Sequence, residues 1–162
     1  MSMEIKKPVT LYLSYAQQDK VLKQEFEPHL ASLQQVGLIS QWIERQVQPG
    51  NDWSQVVDPR LLESQLYLVL LSPSLIASGY CSGAEMQAAI ERSVKRVVRE
   101  MLICPIILRH CGWADLPIER FQPMPTNGRP IAFRPEHERE DIWWGIYREL
   151  RGLIKNHLQN QE

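Results

Sequence analysis

Short apolar runs alternate with segments of helical period along the chain. Val9–Ser14 (VTLYLS) is β-branched and aromatic and predicts a first strand. Leu22, Phe26, Leu30 and Leu33 then recur at the spacing of an amphipathic helix, which Gly37 ends. Pro28 lies inside that helix and predicts a kink or a late start, because proline lacks the N–H donor and crowds the preceding turn. Leu38–Glu44 reads as a second strand, and Arg45–Asp52 carries the Pro-Gly and Asn-Asp signals of an exposed loop. Asp52 suits the cap of a helix holding Trp53, Val56, Val57, Leu61 and Leu62, with Pro59 interrupting it. Leu66–Ser72 (LYLVLLS) is apolar almost without a break, the pattern of a strand covered on both faces. A helix is expected over about Ser82–Arg99, a fourth strand at Met101–Leu108 and a short fifth at Arg129–Phe133. The last helix, about Glu138–Leu158, gathers Ile142, Ile146, Leu150, Leu153 and Ile154 on one side.

Strands separated by helices, with an apolar central strand, predict an α/β fold: a flavodoxin-like five-stranded parallel sheet of order 2-1-3-4-5 with helices on both faces. Such sheets bind ligands beyond the carboxyl ends of their strands. That rule nominates Ser14-Tyr15-Ala16, Glu44-Arg45, Ser72-Pro73 and the helix start near Glu85.

Composition narrows the classes. The 162 residues suit one domain, 1–162, with a core of about 9–158, and the 44% hydrophobic and 23% charged content is that of a globular chain. Eighteen Lys and Arg against 19 Asp and Glu give no basic excess for nucleic acid. No apolar stretch approaches the roughly 20 residues that span a bilayer. Three scattered cysteines, Cys81, Cys104 and Cys111, fit reduced thiols and a cytoplasmic setting.

Known chemistries drop out in turn. The chain has no GxxxxGK(S/T) phosphate loop, no GxGxxG after the first strand and no GxSxG elbow. His110-Cys111 has no second pair at zinc spacing, so no metal site is expected. A phospho-accepting receiver would need carboxylates where Tyr15-Ala16 and Ser72-Pro73 stand, and a Lys where Phe133-Arg134 stands.

Five blocks then occur in a telling order. Ser14-Tyr15 followed by Asp19 is similar to an "ISY…D" box, and Gly37–Trp53 (GLISQWIERQVQPGNDW) to "W-x-D-R-x-I-x-P-G-x-x-W". Ser72–Met86 (SPSLIASGYCSGAEM) is similar to "SP-x-(F/L)-L-x-S-x-Y-C-x-x-x-E-(M/L)". Cys111–Pro117 (CGWADLP) and Gln122–Pro130 (QPMPTNGRP) complete the pattern. Together they resemble the TIR domain in its bacterial form, over about residues 9–155.

The resemblance implies one of two activities. Many such domains cleave the nicotinamide–ribose bond of NAD, which is then substrate rather than cofactor, giving nicotinamide and linear or cyclic ADP-ribose in bacterial defence or signalling. Others are scaffolds that work through TIR–TIR contacts. Carried over by position, Glu85 is the catalytic carboxylate. Ser14, Tyr15, Ala16, Glu44, Trp53, Ser72 and Cys81 are the cofactor-binding set, with Trp53 open to two roles, an aromatic wall or a core anchor. Glu44 stands where the family usually has Asp, and Cys81 where it often has Trp. The resemblance also implies self-association through Arg45–Asp52 and a fused or separate sensor domain. Trp42 reads as core or wall, one of Trp143 and Trp144 as packed, and Arg92, Lys95, Arg96 and Arg99 as a solvated basic helix end.

Overall fold

The computed structural model describes residues 7–94 and 101–158. Strands β1 (Val9–Ala16), β2 (Ile39–Val47), β3 (Leu66–Leu71) and β4 (Leu102–Ile107) form one sheet of order β2-β1-β3-β4, and every pairing is parallel. Helices α1 (Lys20–Gln35), α2 (Pro59–Leu62), α3 (Pro73–Ala77), α4 (Ala84–Ser93) and α5 (Glu136–Leu153) connect and cover it.

Alternation along the strands divides the core in two. Leu11, Leu13 and Tyr15 of β1 join Leu66, Leu68 and Leu70 of β3 against Phe26, Leu30 and Leu33 of α1 and Trp143 and Ile146 of α5. Tyr12 and Ala16 join Tyr67, Val69 and Leu71 against Leu61, Leu75, Met86 and Ala89, from α2, α3 and α4. All six residues of β3 are buried, as its unbroken apolar run requires; each side chain contributes on the order of 1.5–3 kcal/mol relative to exposure.

The expected fifth strand is not one. Among the described residues the sheet has four strands, and Arg129–Phe133 is irregular chain that ends in a bend and turn. Pro130 carries no N–H and Pro123, Pro125 and Pro135 surround it, so this stretch cannot supply a continuous ladder. Single contacts cover the end of β4 instead. Met124 bridges Ile106, and the amides of Ile131 and Ala132 donate to the carbonyls of Ile107 and Leu108 at 3.1 and 2.8 Å.

Three further boundaries move. β2 runs on from Glu44 to Val47. The helix expected from Asp52 is only α2, whose first residue is Pro59 and whose cap is Asp58, accepting from the Arg60 amide. Asp52 accepts from its own neighbour Ser54, closing a turn. α1 continues through Pro28, and α4 is described only to Ser93; Lys95, Arg96 and Arg99 lie outside the described residues. Trp143 is buried and Trp144 half exposed. Trp42 packs part-buried against the core on the α1 side.

Candidate active site

Gly83 fixes the start of α4. A Cβ there would lie 2.3 Å from the Trp53 carbonyl oxygen, so only glycine lets the loop after β2 approach closely. That carbonyl accepts the Ala84 amide at 3.0 Å, tying Trp53 to the first turn of α4. The next residue is Glu85, fully buried.

Its carboxylate is held from several sides. Arg45, on the extension of β2, donates through Nη2 to Oε1 at 2.8 Å and through Nε to Oε2 at 3.1 Å. The Asp58 amide donates to Oε1 at 2.9 Å, and the Tyr80 hydroxyl donates to Oε2. Asp58 places its own carboxylate 4.0 Å from Arg45. A two-bonded fork of this kind stabilises both charges where water is excluded, and the Glu85 carboxylate holds Arg45 firmly charged.

Aromatic rings enclose the pair. Trp53 and Tyr80 meet edge to face at 5.2 Å, Tyr12 and Tyr67 at 5.5 Å, and the Arg45 guanidinium lies over the Trp53 ring at 5.1 Å. Burial raises the pKa of Tyr12, Tyr67 and Tyr80, so all three stay neutral hydroxyls. Among the described residues Tyr12 Oη and Trp53 Nε1 are buried with no hydrogen-bond partner, which costs about 1–3 kcal/mol for each such group.

The strand pleat sorts the residues singled out in the sequence. Ser14 lies on the Glu85 side and donates to the Tyr67 hydroxyl at 3.5 Å. Ala16, Trp53 and Cys81 join the same core cluster. Tyr15 and Glu44 point to the α1 face: buried Lys23 lies 4.9 Å over the Tyr15 ring and donates to Glu44 at 2.6 Å and to Glu27. Ser72 caps α3 and donates to buried Asp19, which also accepts from Arg109 Nε at 3.0 Å. Those three residues tie together the carboxyl ends of β1, β3 and β4. A cavity of about 740 Å³ beside β4, lined by Leu102, Cys104, Phe121 and Leu153 among others, includes none of these site residues.

The strand-end rule named Arg45 but not its pairing with Glu85, for which the alternation Ile43-Arg45-Val47 opposite Trp42-Glu44 was a usable signal; Tyr12, Tyr67 and Tyr80 were not legible as site residues.

Among the described residues no group of His, Cys, Asp and Glu is arranged to hold a metal ion, and no helix is long and apolar enough to cross a membrane. The family model for the TIR domain matches residues 11–141. The chain belongs to the TIR family. It is also 33% identical over 127 residues to the uncharacterized protein y4lF of Sinorhizobium fredii (strain NBRC 101917 / NGR234), a match covering 78% of this chain and 38% of that protein. The chain therefore spans well under half the length of that relative.

Proposed function

We propose that this TIR domain is an NAD nucleosidase, with Glu85 as its catalytic carboxylate. The observation that supports this is one carboxylate, buried among aromatic rings, whose present partner is a planar cation: the Arg45 guanidinium is forked onto Glu85 and lies over the Trp53 ring. The pyridinium ring of NAD is also a planar cation, and the same two groups suit it. Cleavage breaks the C1′–N bond, and its electron pair leaves with nicotinamide as a neutral ring. No general acid is needed. The carboxylate has to hold the ribose and stabilise an oxocarbenium-like transition state, after which water adds and loses a proton, or the adenine closes a cyclic product. The unpaired Tyr12 hydroxyl and Trp53 indole N–H offer donors to ribose or carboxamide oxygens. Ala16 and Cys81 border this face and Ser14 reaches it through Tyr67, whereas Tyr15, Glu44 and Ser72 serve the frame around it.

In this reading the resting site is shut. The Arg45 side chain, from β2, and the Asp58 amide, at the cap of α2, have to withdraw before substrate reaches Glu85, and the loop between β2 and α2 joins them. Self-association through Arg45–Asp52 supplies the displacement, and a neighbouring copy completes the pocket. A role in bacterial defence or signalling goes with this activity.

One observation favours the scaffold reading. Glu85 already has donors on both oxygens, which is what a structural buried carboxylate needs. Concentrated protein incubated with NAD, with nicotinamide followed by chromatography, separates the two. The nucleosidase reading expects release that Glu85→Gln abolishes with the fold intact. Absence of release at every concentration favours the scaffold, and equal release by the variant overturns Glu85 as the catalytic carboxylate.

A further inference from the structure

We infer that Tyr80 is a positioning residue, orienting the Glu85 carboxylate once Arg45 has withdrawn; the inference rests on the reading of Glu85 as catalytic. The partners of Glu85 fall into two groups. Arg45, near the end of β2, and the Asp58 amide, at the cap of α2, both bind Oε1, and Arg45 Nε also reaches Oε2. Tyr80 binds Oε2 from the turn Tyr80–Ser82, five residues before Glu85 and continuous with α4. Withdrawal of the Arg45 side chain and the Asp58 amide removes the first group and leaves the second, so Oε1 is freed for ligand while Oε2 keeps Tyr80.

Tyr80 is itself held by a chain of buried hydroxyls. Ser14 Oγ on β1 reaches Tyr67 Oη on β3 at 3.5 Å, and Tyr67 Oη touches Tyr80 Oη. The direction of this chain follows from its end. An ionised carboxylate can only accept, so Tyr80 donates to Glu85, Tyr67 donates to Tyr80, and Ser14 donates to Tyr67. Each tyrosine hydroxyl gives one proton and receives one, an arrangement in which the bonds reinforce each other. The line is anchored on the two central strands and ends on the carboxylate. Burial keeps both tyrosines protonated and able to donate. The charged or titratable groups facing Glu85 are then Arg45 from β2, Asp58 from the cap of α2, Tyr12 from β1, Tyr67 from β3 and Tyr80 itself.

The test compares kcat and KM of Tyr80→Phe and wild type in steady-state NAD cleavage. Phenylalanine keeps the ring that packs edge to face on Trp53 and removes only the hydroxyl. The expected result is a kcat lower by about tenfold, the loss of one hydrogen bond to a charged group, with KM changed by less than about twofold. Tyr67→Phe, which removes the next link, lowers kcat less and in the same direction. A purely structural tyrosine would lower the melting temperature and leave kcat per folded molecule in place; that result overturns the inference while Glu85 stays catalytic. Wild type without nicotinamide release, or an active Glu85→Gln, overturns the underlying reading and this inference with it.

Discussion

Arg45 and Glu85, 40 residues apart in sequence, meet as a fork of two hydrogen bonds whose carboxylate half is sealed from solvent. The pair joins the end of β2 to the first turn of α4 across the loop that carries Pro49 and Gly50. It is at once the tightest link holding that loop and the contact that fills the candidate site.

A buried pair loses most when only one partner is removed. Arg45→Met or Glu85→Gln alone should lower unfolding free energy, by about 3–5 kcal/mol where a charge is left stranded. The double variant should cost clearly less than the sum. Urea denaturation of the four proteins gives the coupling, and additive losses would show that the fork contributes little.

Gly83 should tolerate no side chain. A Cβ 2.3 Å from the Trp53 carbonyl pushes the loop off α4 and breaks the Ala84–Trp53 hydrogen bond. Gly83→Ala is expected to destabilise by about 1–3 kcal/mol, the usual cost of overpacking, and to shift tryptophan fluorescence as Trp53 gains water. Unchanged stability and emission would contradict the close approach.

Acid should weaken the α1–α5 contact. Arg139 and the Trp143 indole hydrogen-bond Glu25 and hold its pKa below the ordinary 4.5. A carboxyl depressed in the folded state stabilises above its unfolded pKa and loses that contribution as pH falls through the folded one. The difference in urea midpoint between pH 7 and pH 3 should therefore shrink in Glu25→Gln. An unaltered difference would place the acid sensitivity elsewhere.

The three thiols should separate kinetically. Burial pushes Cys81 and Cys104 up to about 12, and Cys111 is raised but half exposed. At pH 8 a disulfide reagent such as dithionitrobenzoate should label Cys111 first and the other two only on unfolding, because the thiolate is the reacting form. Rapid native labelling in Cys111→Ser would refute this.

Much of the frame was legible because it rests on local pattern. The apolar run at β3, the helical spacing of Leu22, Phe26, Leu30 and Leu33, and the order of strands 2-1-3-4 follow from periodicity and parallel connection rules. Which face a strand residue takes was harder to read. With β2 ended at Glu44, Arg45 reads as loop; with β2 running to Val47, the pleat turns Arg45 toward Glu85 and Glu44 toward Lys23. The same parity sends Tyr12 and Ser14 to one side of β1 and Tyr15 to the other. The fifth strand failed for a different reason: β-branched propensity is weak against prolines that remove ladder donors.

The most direct test of a shut site with Glu85 inside is the initial rate of nicotinamide release, per folded molecule, from wild type, Arg45→Met, Glu85→Gln and the double variant. The account predicts that Arg45→Met releases nicotinamide faster than wild type, because the competing cation is gone, and that both proteins lacking Glu85 are inactive. A folded Arg45→Met no faster than wild type, or a double variant that keeps the gain, would contradict it.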